Sequence, residues 1–255
     1  VAVDAVILAA GRGQRMLGYS MPFFKPLLEV NGITLLAYAA EYAAAAGAEQ
    51  TVVVASPHNV TQVHKVLEPY SSWIEVVVQE DPCGPGHAAL VGLKPLENSK
   101  AVMLLMSDNI MDREKVVRMA VSTEIAKANA VGARTVPKSQ AGRFTRIRSA
   151  WSDRIAREHE YEFAEGTELR DEDFVDPRAD APLARVWCGP VIMDTKRAIA
   201  VLSREWDGRG SQGAELKIGP YLTEILRYPT SLFDVDAMDV GVPSAFEAAT
   251  EATAR

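Results

Sequence analysis

Short apolar, β-rich runs recur along this chain between segments of helical periodicity, and that alternation restricts the fold more than any other feature. In the first half the runs are residues 3–10, 50–55, 74–79 and 101–106. The stretches 35–47, 58–68 and 86–93 carry apolar residues at helical intervals, the first being alanine-rich and closed by Gly47, a suitable C-terminal cap. Repeated βα units imply an α/β fold, a mixed but mainly parallel sheet sandwiched by helices. The second half predicts strands at 184–193 and 231–235 and helices at 195–206, 214–228 and 243–254.

A chain of 255 residues, 48% hydrophobic and 24% charged, can bury a sizeable core, although length alone does not set the number of domains. The pattern reads as one domain over residues 1–255 with an acidic inserted subregion or flap at about 150–183. Between Glu158 and Asp180 ten of 23 residues are acidic, which suits a solvated excursion better than a core element. Against 27 basic residues stand 34 acidic ones, so no general basic footprint for nucleic acid or an anionic membrane exists, and any phosphate must be held locally. The two cysteines, Cys83 and Cys188, lack metal-ligand spacing and suggest no disulfide framework. With no apolar stretch of membrane-spanning length and no basic leader before the first strand, the expected location is the cytoplasm.

The first strand empties into Leu8-Ala9-Ala10-Gly11-Arg12-Gly13-Gln14-Arg15, and Lys25-Pro26 follows ten residues later. Glycines at a strand's C-terminal end let the backbone turn tightly and present its N–H groups to a ligand, an arrangement that binds phosphate oxygens. Arg15 and Lys25 supply cations that can converge on a polyphosphate. A dinucleotide fingerprint would require glycine at Met16 and an acid after the second strand, where Ala55-Ser56 stand, and no Gly-Lys-Ser/Thr follows the glycines. A dinucleotide-dependent oxidoreductase is therefore the weaker reading.

This opening resembles the signature of the sugar-phosphate nucleotidyltransferase family, Leu-Ala-Ala-Gly-x-Gly-Thr-Arg followed by Pro-Lys-Pro. Gln14 replaces its threonine and Phe24 its first proline. The resemblance implies a fold of the glycosyltransferase-A type. It gives Leu8, Ala10, Gly11, Gly13 and Arg15 to the nucleotide and makes Arg15, Lys25 and Asp108 the catalytic set.

The third strand ends in Gln79 and continues to Gly84-Pro85-Gly86-His87-Ala88. A glutamine amide offers both a donor and an acceptor to a base edge, and glycine allows close approach. The resemblance assigns Gln79 and Gly84 to the base, with the segment most like uridylyltransferase members. His87 reads as a packing or capping residue rather than a base.

The fourth strand delivers Ser107-Asp108-Asn109 to the same sheet edge. Magnesium takes a few carboxylate oxygens together with substrate phosphates, so Asp108 and one further acid suffice for Mg²⁺, unless Asp108 is a helix N-cap. The second is Asp239, whose Asp-Val-Gly-Val-Pro surroundings resemble the family's Asp-x-Gly-Thr-Pro, with Asp234 and Asp236 as weaker alternatives. On the acceptor side the resemblance points to Asn109, Gly189 and Val191. No lysine lies between Lys138 and Lys196, which leaves Arg146, Arg148, Arg154, Arg157 and Arg185 as candidate phosphate cations and Glu158, Glu160 and Glu162 for sugar hydroxyls. Glu215 is expected to open a helix.

Together these features imply Mg²⁺-dependent transfer of a nucleoside monophosphate from a nucleoside triphosphate, UTP favoured, to a sugar 1-phosphate with release of pyrophosphate. The alternatives are cytidylyl transfer to a non-sugar phosphate such as phosphocholine, or a non-catalytic nucleotide-binding regulatory subunit. Neither a nucleic acid nor a membrane is expected as a partner, and the oligomeric state is not encoded in any motif.

Overall fold

A computed structural model of the chain describes residues 3–11, 24–149, 161–166, 168–170, 173–174, 181–207, 215–226, 230–235, 237–240 and 248. The first half contains β1 (Asp4–Leu8), β2 (Glu29–Val30), β3 (Ile33–Thr34), α1 (Leu35–Ala45), β4 (Thr51–Ala55), α2 (Val60–Leu67), β5 (Ile74–Val78), α3 (Pro85–Leu93), β6 (Ala101–Met106) and β7 (Asn109–Ile110). There follow α4 (Arg113–Ala126), β8 (Asn129–Pro137), α5 (Lys138–Ala141), β9 (Arg146–Ser149), β10 (Tyr161–Ala164), β11 (Leu183–Asp194), α6 (Thr195–Asp207), α7 (Leu222–Ile225), β12 (Thr230–Asp234) and β13 (Met238–Asp239).

Strands β5, β4, β1 and β6 lie side by side and parallel. Their sequences are nearly continuous apolar runs, as strands covered on both faces require, and β4 is buried at every position. One face packs on α1, α2 and α4 through Leu36, Ala40, Val63 and Met119. The other packs on α3, α6 and α7 through Ala89, Leu93, Leu202 and Leu222. In the shared register Leu8 stands beside Val54 and Met106, so the loops after β1, β4 and β6 open at one edge.

Strand β11 runs antiparallel to β6 and extends the sheet to β8, β9 and β10. Its register on β8 shifts between Trp187 and Val191, where Gly189 and Pro190 form a bulge. Gly132 on β8 accommodates that bulge, since a Cβ there would lie 2.7 Å from Pro190 Cδ.

Strands β1, β4, β5 and β6 and helices α1, α2 and α3 fall where the sequence places them, while the short β2 and β3 were not expected. The helix expected over residues 214–228 does not form at that length. Residues 219–221 make a single 3₁₀ turn and, among the described residues of this span, only Leu222–Ile225 is α-helical. Glu215, expected to open the helix, precedes both turns in irregular backbone, because Leu216 exchanges hydrogen bonds with the start of α3 and the residue before its cap: Gly86 N–H donates to the Leu216 carbonyl at 2.7 Å and Leu216 N–H to that of Cys83 at 2.8 Å. Part of the acidic region, Tyr161–Ala164, pairs with β9 inside the main sheet. The helix expected over residues 243–254 lies, but for residue 248, outside the described residues. No helix among the described residues is long and apolar enough to cross a membrane.

Candidate active site

The C-terminal end of β1 is fixed from both sides by buried polar groups. Ser107, just past β6, donates its hydroxyl to the Leu8 carbonyl at 2.7 Å. Asn59, fully buried before α2, donates from Nδ2 to the Ala9 carbonyl at 2.8 Å while its Oδ1 accepts from the Ser56 amide at 2.8 Å and the Ser56 hydroxyl at 3.0 Å. Satisfied buried groups of this kind hold a backbone in one conformation. From this fixed point the chain passes half-buried Ala10 to exposed Gly11, where an added Cβ would meet no described atom within 4 Å. Gly13 and Arg15 lie outside the described residues.

Lys25 opens the 3₁₀ turn Lys25–Leu27, and its ammonium forms an ion pair with Asp108 Oδ2. The pair is mostly shielded, with the two side chains 13% and 27% exposed. Asp108 is not a helix cap. That task falls to Asp112, which accepts from the Glu114 and Lys115 amides at the start of α4. The segment after Asp108 is held by Tyr42 of α1, whose hydroxyl accepts from Met111 N–H at 2.8 Å and donates to the Met111 carbonyl at 3.0 Å. Burial pushes the Tyr42 phenol up to about 12, so it stays a neutral hydrogen-bonding strut at any ordinary pH.

Strand β13 closes on β7 with Asp239 opposite Asn109 and Met238 opposite Ile110. The Val240 amide donates to the Asp108 carbonyl at 2.9 Å. The backbone thereby brings the two acids expected to hold a metal together, 108 in the turn just before β7 and 239 on its partner β13; the side chain of Asp239 lies outside the described parts, as does Asp236. This fits Mg²⁺, which needs only one or two protein carboxylates and completes its shell with phosphates and water. Among the described residues no group of three His, Cys, Asp or Glu side chains forms a self-sufficient metal cage.

Gln79 follows β5 and is 5% exposed. Its Nε2 lies 3.1 Å from the Gly84 carbonyl and 3.1 Å from His87 Nδ1. His87 in turn stacks on Trp206 of α6, ring centroids 4.1 Å apart. Burial lowers the histidine's proton affinity, against the opposing effect of the Asp81 carbonyl and carboxylate. Gly84 has φ +89°, and a Cβ there would lie 2.8 Å from the Leu216 carbonyl oxygen, so both its conformation and its neighbours demand glycine.

On the acceptor side Asn109 and Gly189 meet: a Cβ on Gly189 would sit 3.5 Å from Asn109 Nδ2 and 3.1 Å from Met111 Sδ. Val191 is set apart, its side chain fully buried in the apolar core. Two of the candidate arginines are engaged internally. Arg146 Nε lies 2.9 Å from Asp173 Oδ1, and Arg148 Nε donates to the same oxygen at 2.7 Å. Arg146 also donates to the Gly166 and Glu168 carbonyls, and Arg148 to Glu162 at 2.9 Å. These arginines anchor the acidic segment rather than await an anion. Arg185 is exposed and, with Tyr161 and Asp234, lines a cleft of about 520 Å³. Arg154, Arg157, Glu158 and Glu160 lie outside the described residues.

Sequence reasoning missed Asn59, Ser107, Tyr42 and Trp206. A Ser-x-x-Asn turn after a strand marks a local side-chain turn, yet nothing in it signals a reach across to another strand's carbonyl.

Residues 5–204 match the family profile of the MobA-like NTP transferase domain. The bifunctional protein GlmU of Alkaliphilus metalliredigens (strain QYMF) is 33% identical over 115 residues, which are 45% of this chain and 24% of that protein. The chain spans about a quarter of the length of the curated relatives it matches. A UDP-glucose pyrophosphorylase solved with UDP-glucose superposes with TM-score 0.74 and 19% identity, over 100% of this chain and 99% of that one. The UTP-bound UGPase from Acinetobacter baumannii gives TM-score 0.70 and 16% identity, over 99% and 93%. At these identities the likeness to solved structures establishes a shared fold.

Proposed function

The chain belongs to the MobA-like NTP transferase domain family, and on that premise we propose that it transfers a nucleoside monophosphate from a nucleoside triphosphate, UTP by preference, to a sugar 1-phosphate, releasing pyrophosphate. The observation that supports this reading is the shielded Lys25–Asp108 pair at the edge where Gly11 after β1, Gln79 after β5 and strand β13 also arrive. The similar solved structures include proteins described with UDP-glucose and with UTP.

An acceptor phosphate is already anionic near neutral pH, so attack on the α-phosphorus needs no protein base. The work left to the protein is positioning and charge neutralisation. In this reading Leu8, Ala10 and Gly11 present backbone to the triphosphate, and the same role extends to Gly13 and Arg15, which follow in the sequence. Lys25 meets the α-phosphate or the acceptor phosphate, and Asn109 with Gly189 borders the acceptor. Asp108 and Asp239 are the residues that would hold Mg²⁺, which supplies charge neutralisation to the phosphates when bound. Lys25 and Asp108 form an ion pair, and ligand phosphates would redistribute that pairing.

The test is a grid of the common nucleoside triphosphates against sugar 1-phosphates and phosphocholine, with Mg²⁺, followed by pyrophosphate release. Release with UTP and a sugar 1-phosphate supports the reading. Release with CTP and phosphocholine alone, or with no pair, rejects it.

A further inference from the structure

We infer that His87 is a specificity-determining positioning residue: by accepting a hydrogen bond from Gln79 Nε2 it locks that amide with its oxygen as the group offered to a nucleobase. The inference rests on the nucleotide-binding reading above and adds the chemistry by which the base is chosen.

A carbonyl oxygen can only accept, so the Gly84 carbonyl at 3.1 Å fixes which end of the Gln79 amide is nitrogen. That same nitrogen is 3.1 Å from His87 Nδ1, which must therefore accept as well, leaving the ring proton on Nε2. Both hydrogens of the amide are then used within the protein. Among the described residues Gln79 Oε1 accepts no hydrogen bond. What Gln79 presents is thus an acceptor without an accompanying donor.

Such a group favours a base with a ring N–H, as in uracil, thymine and guanine, over one whose ring nitrogen is itself an acceptor, as in cytosine and adenine. The lock depends on a neutral imidazole. Burial against Trp206 favours that state; the charged groups acting on the ring are Asp81 from its own loop, which opposes it, and Lys94 at the end of α3, which supports it. The ring stack also fixes the direction in which Nδ1 points.

The test is calorimetric affinity for UTP and CTP at about pH 8, where histidine is neutral, with wild type, His87→Phe, His87→Asn and Gln79→Ala. Wild type should prefer UTP by about tenfold, the scale of one hydrogen bond gained against one left unpaired. His87→Phe retains an aromatic ring for Trp206 but no acceptor, and the preference should fall to within about threefold. His87→Asn, which restores an acceptor, should recover most of it, and His87→Phe should change nothing further in a Gln79→Ala background. Equal binding of UTP and CTP by wild type overturns the inference, as does an undiminished preference in His87→Phe. If His87→Phe does not fold, ¹⁵N resonances of the wild-type ring decide, because a proton on Nδ1 rather than Nε2 also overturns it. Because affinity is read without turnover, a failed pyrophosphate grid with this binding pattern intact would reject the proposed reaction and leave the role of His87 standing.

Discussion

Lys25 and Asp108, 83 residues apart in sequence, meet in an ion pair between the turn that precedes β2 and the end of β6. Each is expected to act on phosphate, and the two are held together by their opposite charges. Replacing Asp108 by Ala should therefore remove Mg²⁺-dependent turnover by about 10²-fold or more while the protein remains folded, since the carboxylate lies at a sheet edge outside the apolar clusters. Pyrophosphate release and far-ultraviolet circular dichroism measured together check this. Wild-type turnover in the variant would take Asp108 out of the phosphate site.

Asn59→Ala should cost about 1–3 kcal/mol of stability, because it leaves the Ala9 carbonyl and the Ser56 amide without their buried partner. The same change frees the end of β1, so triphosphate affinity should fall although Asn59 is itself fully buried. Urea unfolding and calorimetry separate the two effects. Unaltered affinity in a destabilised protein would show that the turn does not depend on this anchor.

Gly84→Ala forces a side chain into left-handed backbone against the Leu216 carbonyl. A loss of about 1–3 kcal/mol is expected for backbone strain of this kind, with weakened nucleotide binding as the loop carrying Gln79 shifts. Equilibrium unfolding of the variant is the check, and an unchanged midpoint would mean that residues 215–217 are not held against α3 in solution.

Asp173 gives a pH dependence of defined sign. Burial opposes its ionisation, but hydrogen bonds from Arg148 and the Arg170 amide, with the Arg146 charge 2.9 Å away, outweigh it and hold the carboxyl below its ordinary value. The stability this contributes is present above the unfolded carboxylate value of about 4 and is lost as pH falls through the lower folded value. Asp173→Ala should cost about 3–5 kcal/mol, leaving two buried guanidinium groups without their shared counter-ion. It should also flatten the acid limb of a stability-against-pH curve. A limb identical to that of wild type would assign it to other carboxylates.

Much of the fold was legible because parallel strands buried on both faces leave an unmistakable mark: the runs around Val53 and Leu104 are apolar without interruption. Gln79, Asp108 and the segment around Asp239 were legible as motifs at strand ends, as was the placement of Gly11 beyond β1. Strand β8 was missed because Arg134 and Thr135 interrupt its pattern, Arg134 being occupied by the Phe144 ring and the Ala237 carbonyl. The helix expected over 214–228 shortened because apolar spacing cannot reveal that Leu216 would find its hydrogen bonds on α3. Arg146 and Arg148 looked available for an acceptor phosphate because their partner, Asp173, is 25 residues from Arg148 and indistinguishable in sequence from its acidic neighbours. The lock between Gln79 and His87 was equally hidden, for it depends on the angle at which α3 leaves its loop.

The central claim, that Lys25 acts on the reacting phosphates rather than merely binding nucleotide, is tested most directly by single-turnover pyrophosphate release from Lys25→Met with the best substrate pair. Removing a preorganised charge beside the reacting phosphorus is expected to slow that step by about 10²- to 10³-fold, or about 2.7 to 4 kcal/mol. Triphosphate affinity measured by calorimetry should change far less, because only interactions that strengthen in the transition state raise the chemical rate. A variant that loses affinity and keeps the wild-type single-turnover rate would contradict the account at its centre.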